Sequence, residues 1–483
     1  MSGINAMPQY RSYFGFSLTE GTPSTGIVYA IYTIGNIVGS FFAGPACDTF
    51  GRRYGMIFGS VFIIIGTIVQ ATCTGLGGFM GGRFLLGFGV ATSASAGPAY
   101  VSEMAHPAYR GPMTGIYNTF YFMGQIPATF ISWGTNKNFP NSDMSWRIPI
   151  WVQMCYSGIV LLNAYFLPET PRWLVANDRH DEALKVMAKY HGEGNPESPI
   201  VQLELKEMMD EISKTGSDKR WWDYRELFNS PEVRYRTFLV FLVAFFGQWS
   251  GNGAVTYYYP QMLAGAGITS TNTQLLLNGF QSVVQFVGAV SGALFTDKIG
   301  RRPALMFSTG AIVVCFCIVT AINATNVVEV NGVGTSKSAS AANAEIAFIF
   351  LFGFCYSIGW TPNQAMYPVE CLKFENRAKG MGFYNFWVNI ASFYNTFVIG
   401  IAFTGAGWKY YFLYIFWDLL ELACIYFFFV ETSNRTLEEL TAIFASKTPV
   451  KTSLRKGNLT VAQVGDEAVV LEKDTQASHE EGL

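Results

Sequence analysis

Charge is scarce in this chain of 483 residues: Asp, Glu, Lys and Arg make up 14%, where soluble domains carry about 25%. The charge is also segregated. Residues 169–236 hold 25 of these side chains and residues 431–483 hold 15, so the remainder is too sparsely charged to face water. Cysteine is thin as well, at 8 residues, which excludes a disulfide-built secreted scaffold, and a 50% apolar composition excludes disorder. A net charge of −2 gives nucleic acid no basic footprint, so no nucleic-acid partner is expected. The 4 His (His106, His180, His191 and His479) are scattered over predicted loops. No His-Glu-x-x-His, no Cys pair at metal spacing and no Gly-x-x-x-x-Gly-Lys-Ser/Thr phosphate loop occurs. The chain is therefore not read as an enzyme, and no cofactor or metal is expected. A signal peptide is missing too: Met1–Tyr10 has neither a basic start nor an apolar run. What the sequence does have is long apolar runs, and these make it a polytopic membrane protein.

A span needs about 20 mostly apolar residues. Eleven such windows occur, at 24–46, 55–74, 79–101, 113–134, 148–167, 238–262, 273–295, 304–324, 345–366, 380–403 and 409–430. All read as helices, because a helix satisfies its own backbone in lipid, and the alternating pattern of a membrane barrel is absent. Lys and Arg set the orientation. With the 168–237 connection in the cytoplasm, 26 of the 32 basic residues fall on that side and 5 on the other (Arg11, Lys137, Arg147, Lys337 and Lys409), Arg83 lying within a span. The C-terminus is then cytoplasmic, and a plasma-membrane location is expected.

The chain repeats itself. Asp48-x-x-Gly51-Arg52-Arg53 returns as Asp297-x-x-Gly300-Arg301-Arg302. Tyr100-x-x-Glu103 with Arg110 returns as Tyr367-x-x-Glu370 with Arg377, and Glu169-Thr170 with Arg172 is echoed by Glu431-Thr432 with Arg435. Positive-inside charge explains the Arg residues but neither the Glu nor the spacing, so duplication is the reading. It predicts residues 1–167 as an N-terminal half, 168–237 as a cytoplasmic linker with short helices, 238–445 as a six-helix half and 446–483 as a disordered tail. The partner of span 238–262 falls largely upstream of Met1, and Ser2-Gly3-Ile4-Asn5-Ala6 aligns with Ser250-Gly251-Asn252-Gly253-Ala254. The expectation is a six-plus-six protein shown here without its first helix; the plain alternative has eleven spans and an outside N-terminus.

The groups left to carry function are polar side chains at membrane depth. Asn118 and Gln125 share one helix face; Gln281 and Gln285 share another; Gln248 and Asn252 a third, followed by Tyr257 and Tyr258; Trp360 and Gln364 are four apart, and Trp387 and Asn389 lie on a fifth span. A single amide reads as a helix–helix hydrogen bond. Five helices contributing amides beside aromatics read as a site for hydroxyl groups and sugar faces. Arg83 is a proton-coupling candidate or an interfacial Arg, and Asp418 and Glu421 on the last span face the bundle. The repeated acidic and basic groups (Asp48, Gly51, Arg52, Arg53, Glu103, Arg110, Glu169, Arg172 and, in the second half, Asp297, Gly300, Arg301, Arg302, Glu370, Arg377, Glu431, Arg435) read as orientation signals or as a two-state inner gate.

These motifs resemble the major facilitator superfamily, and Pro168-Glu169-Thr170-Pro171-Arg172, Arg83-Phe84-Leu85-Leu86-Gly87 and Val430-Glu431-Thr432 resemble its sugar porter family. Gln248-Trp249-Ser250-Gly251-Asn252-Gly253 with Tyr257-Tyr258 looks like the fungal lactose permease and cellodextrin carrier branch. The resemblance implies an all-α bundle of two six-helix repeats that carries a disaccharide such as lactose or cellobiose by alternating access, with a proton as co-substrate. It makes Asn118, Gln125, Gln248, Asn252 and Gln285 sugar partners. Gly247-Gln248 where hexose carriers pair two Gln, and Ala365 where several have Trp, imply a larger sugar. Proton-coupled members place an Asp on their first helix opposite the Arg that matches Arg83. The alternatives are a facilitative hexose or polyol carrier, for inositol or quinate, and a non-transporting sugar sensor.

Overall fold

The computed structural model describes residues 2–16, 23–106, 110–215, 224–265, 267–330, 333–336, 338–373, 377–433, 435, 437–454, 459–464 and 467–472. Two short helices, α1 (Ser2–Ala6) and α2 (Pro8–Phe14), lead into five long ones: α3 (Pro23–Phe50), α4 (Arg52–Thr72), α5 (Leu76–Met104), α6 (Arg110–Asn138) and α7 (Met144–Phe166). The connection holds α8 (Pro171–Ala176), α9 (His180–His191) and α10 (Pro199–Thr215). Then come α11 (Pro231–Trp249), α12 (Asn252–Gly265), α13 (Thr271–Ile299) and α14 (Arg301–Asn326). A hairpin, β1 (Val327–Val330) and β2 (Val333–Ser336), joins α14 to α15 (Ala339–Cys371), which precedes α16 (Arg377–Ala406) and α17 (Tyr411–Phe428). Nine helical stretches among the described residues are long and apolar enough to cross a membrane, with α11 and α12 counted as one. The long helices α6 and α16 complete the bundle with 29 and 30 residues.

The same neighbours recur in both sets of helices. α5 packs on α3 and α4, as α15 packs on α13 and α14; α4 packs on α7 as α14 packs on α17. The sets meet along two seams related in the same way, α3 on α16 and α6 on α13. The span expected at 238–262 is broken: α11 ends at Trp249, and Gly251, at φ 79°, restarts the chain as α12.

Three short helices follow the bundle's logic on the face that carries the connection, here the linker face. Leu174, Val175, Ala183, Met187 and Val201 form a small core among α8, α9 and α10. His191 pins that core to the bundle, with Nδ1 2.7 Å from Glu204 Oε2 and Nε2 3.1 Å from the carbonyl of Met104, the last residue of α5.

Two short β-hairpins accompany the helical bundle among the described residues. The first is the β1–β2 hairpin. The second follows α18 (Leu437–Ala445) and α19 (Pro449–Ser453), where β3 (Leu459–Val464) pairs antiparallel with β4 (Glu467–Glu472). Both hairpins are rich in Val, a residue that favours strands.

Candidate functional site

The amides converge where the two sets meet. Gln125, at the middle of α6, donates to Ser282 Oγ at 3.2 Å and to Gln285 Oε1 at 3.4 Å, both at the middle of α13. Gln281 and Gln285 lie against Gly353 of α15, where an added Cβ would overlap the Gln281 amide. Gln281 Nε2 reaches the Ile349 carbonyl at 3.4 Å, and its Oε1 is buried with no partner among the described residues. One turn from Gly353, the Tyr356 hydroxyl donates to the Gly247 carbonyl of α11 at 2.6 Å, and Gln364 Nε2 donates to both, at 2.6 and 2.9 Å.

The ring continues through α16. Asn395 Nδ2 donates to the Gln248 carbonyl at 2.6 Å, and the Trp249 indole donates to the Ala391 carbonyl at 3.1 Å. Asn252 accepts from Thr256 at 3.2 Å, and Tyr258 donates to the Thr396 carbonyl at 2.7 Å. Tyr29 of α3 closes the circuit, its hydroxyl 3.4 Å from the Tyr257 carbonyl and its ring against Tyr257 and Tyr258. Gln125, Gln281, Gln285, Gln364, Tyr257 and Tyr258 thus line one polar zone; Gln248 joins it through its backbone carbonyl, and the Asn252 side chain bonds its own helix at Thr256. The side chain of Asn118 lies outside the described residues.

Three candidates fall outside the ring. Trp360 is fully buried between α14 and α15, its indole donating to Thr309 Oγ1 at 3.1 Å. α15 crosses α14 closely at Gly359, where a Cβ would overlap Ser308, and this turns the next residue onto α14. Trp387 packs edge-on against Phe241 at 5.0 Å. Asn389 donates back to its own helix at the Asn385 carbonyl, 2.9 Å away. Tyr29, Ser282, Tyr356 and Asn395 were missed by the sequence reading. Each is a polar residue beside one already singled out, but only the tertiary fold brings their helices together.

Toward the far face, the sets are joined by Asn136 Nδ2 donating to Asn272 Oδ1 at 2.7 Å, across the α6–α13 seam. Arg83 lies at depth and is buried; its Nε donates to the Val28 carbonyl at 2.8 Å, and its guanidinium sits 5.3 Å over the Tyr32 ring. No ion pair to Arg83 forms among the described residues.

At the linker face the repeated motif is built twice. Gly51 (φ 98°, ψ 163°) and Gly300 (φ 100°, ψ 154°) turn the chain sharply into α4 and α14. Glu169 accepts from the Arg52 and Arg53 backbone N–H groups at 3.0 and 3.2 Å, as Glu431 does from Arg301 and Arg302 at 2.9 and 3.1 Å. Each Glu thereby satisfies the free donors at a helix N-terminus. Arg52 pairs with Glu103 at 3.2 Å and with Asp48 at 3.3 Å; Arg301 pairs with Glu370 at 2.8 Å. Arg53 binds the carbonyls of Ala164 and Tyr165, and Arg302 those of Ile425 and Tyr426. Burial pushes the Glu169 carboxyl above its ordinary range, opposed by the backbone N–H groups of Thr170, Arg53 and Arg52. These bonds lie within one helix set, not between the two. Arg172 is half-buried, and Arg435 lies 3.9 Å from Glu439. The side chains of Arg110, Asp297 and Arg377 lie outside the described residues.

The sugar (and other) transporter family matches residues 1–444. The chain belongs to that family. Its type is therefore a multi-pass membrane transporter and not an enzyme. Among its relatives, a quinate permease of Neurospora africana is 29% identical, the match covering 92% of this chain and 84% of the permease. A high-affinity gluconate transporter of Schizosaccharomyces pombe is 28% identical over 92% and 80% of the two chains. The xylose transporter XylE from E. coli, in a partially occluded inward-open conformation, superposes with a TM-score of 0.72 at 17% identity, over 90% of this chain and 94% of XylE. A proton:xylose symporter structure of XylE bound to 6-bromo-6-deoxy-D-glucose gives 0.70 at 18% identity, over 92% and 94%. These likenesses give the fold: an all-helical major facilitator bundle, with the two hairpins as additions.

Proposed function

We propose that this transporter carries a neutral disaccharide, such as lactose or cellobiose, together with a proton by alternating access, across the plasma membrane with the linker face in the cytoplasm. One observation supports the reading above the others: the Gln125–Ser282–Gln285 contact lies mid-span on the seam between the helix sets, with Gln281 and Gln285 against Gly353, one turn from the Tyr356–Gln364 pair. Amides and phenols offer both donors and acceptors, as sugar hydroxyls require, and carry no charge that a neutral solute would have to displace. A site on the seam is exposed to either side in turn as the sets rock.

In this reading the two linker-face networks brace each helix set internally, Arg52 on Glu103 and Arg301 on Glu370, so that the inner gate opens and closes as the sets rock as units. Proton coupling has a sufficient driving force, since one charge crossing 100 mV supplies about 2.3 kcal/mol, roughly fiftyfold accumulation. Uptake of labelled lactose and cellobiose by the protein in vesicles, with and without an uncoupler, tests both parts. Uptake abolished by uncoupler is expected; uptake of neither sugar refutes the substrate, and indifference to uncoupler refutes the coupling.

A second reading, an acidic polyol, has its own support. Arg83 is a buried cation with no ion pair among the described residues, and quinate permeases are among the relatives. Quinate and lactose in direct competition separate the two readings.

A further inference from the structure

The last long helix carries two carboxyls that the sugar ring does not use. Asp418 and Glu421 are both fully buried on one face of α17, one turn apart. None of their four oxygens has a hydrogen-bond partner among the described residues, and the Trp417 indole that approaches Glu421 falls outside hydrogen-bonding geometry. A bare carboxylate in a dry interior carries a large desolvation cost, so each must be neutralised by a proton or a cation. A proton fits better than a metal ion: no group of three or more metal-ligating side chains forms among the described residues, and Tyr414, one turn before Asp418, stacks on Phe316 at 5.3 Å.

The place matters as much as the chemistry. Glu421 lies within electrostatic reach of Tyr356, whose hydroxyl holds the Gly247 carbonyl just before the α11–α12 break. The pair therefore abuts the polar ring from behind, on the side away from the seam.

We propose that Asp418 and Glu421 form a proton-binding site in the second helix set, linked to the sugar ring through Tyr356 and Gly247. The inference rests on the transport reading only for its functional consequence. With the ring closed, the pair holds its protons as neutral acids; movement of α11 that admits water lets a carboxyl release its proton. The titratable groups that interact with the pair are Tyr414 and Cys424 on α17 and Tyr356 on α15; Tyr410 and Tyr411 adjoin Tyr414, and Glu345 adjoins Tyr411. The cation Arg302 on α14 is engaged with the Ile425 and Tyr426 carbonyls.

The test is infrared spectroscopy on the purified full chain with labelled Asp and Glu, followed by pH-gradient-driven uptake in vesicles. Neutral-carboxyl absorption at pH 7 that weakens in D418N/E421Q is expected; its absence from the unmodified protein, or an undiminished band in the variant, overturns the proposal. The amide variants imitate the neutral acids in shape, so the ratio of uptake with and without the pH gradient falls to about one in them; an unchanged ratio also overturns the proposal. Should the double variant fail to fold, D418N and E421Q are read singly against the unmodified spectrum. Should no sugar be carried by any form, the transport reading fails while the infrared result still decides the site.

Discussion

Replacing Gly51 or Gly300 by Ala tests whether the repeated turn is structural machinery or a charge signal alone. Both glycines sit near φ 100° with extended ψ, a region that side-chain-bearing residues enter at a cost of about 1–3 kcal/mol. A Cβ at Gly51 would also overlap the Glu169 carboxylate, which accepts from the Arg52, Arg53 and Thr170 backbone N–H groups at 3.0, 3.2 and 3.0 Å. Hydrogen bonds to a charged group are each worth about 1.5–3 kcal/mol. Displacing the carboxylate enough to lose one brings the Gly51→Ala total to roughly 3–6 kcal/mol. At Gly300 the Cβ would lie 2.7 Å from Glu431 Oε2, so the same sum applies with slightly more room. Gly310→Ala is the control, a helical position where a Cβ meets nothing within 4 Å. It should be neutral or stabilising by up to about 1 kcal/mol. Thermal unfolding in detergent, followed by tryptophan fluorescence, reads all three. Losses of several degrees at Gly51 and Gly300 with none at Gly310 are expected, and a loss at the two turns no larger than at Gly310 refutes the reasoning.

Three further outcomes are expected. Truncating Gln125 or Gln285 to Ala removes neutral hydrogen bonds worth about 0.5–1.5 kcal/mol each, so the half-saturating sugar concentration should rise roughly 2–10-fold; uptake kinetics unchanged in both variants would mark the amides as struts only. His191→Ala strands Glu204, whose side chain is 8% exposed, and breaking such a buried pair costs about 3–5 kcal/mol; H191A/E204A should melt higher than H191A alone, measured in the same detergent. Glu169, raised by burial, binds its proton more tightly folded than unfolded. That contribution is complete below the ordinary glutamate range and is lost as pH climbs through the raised value, so the melting-temperature gap of wild type over E169Q should shrink with rising pH across that window; a gap that widens there contradicts the assignment.

What could be read from the residues, and what could not, divides along one physical line. Features written in a continuous stretch of chain were legible: Asp48 to Arg53 and Asp297 to Arg302 mark two helix ends as a repeated motif, because its residues are adjacent in sequence, while the positive φ of Gly51 and Gly300 is a property of the fold. Spacing also placed Gln281 and Gln285 correctly on one face, since both meet Gly353. The same rule failed at Trp360 and Gln364, equally one turn apart, because the close crossing at Gly359 turns Trp360 onto α14 while Gln364 reaches Gly247. Helical periodicity fixes which residues share a face, but not which neighbour that face meets. Tyr356 and Asn395 illustrate the consequence. Each enters the ring by binding a backbone carbonyl, of Gly247 and Gln248, at the end of a helix broken at Gly251. A carbonyl leaves no mark in the side-chain pattern, so these partners become visible only when the helices are packed. The ring is thus held partly by main-chain carbonyls of α11 in the last turn before that break.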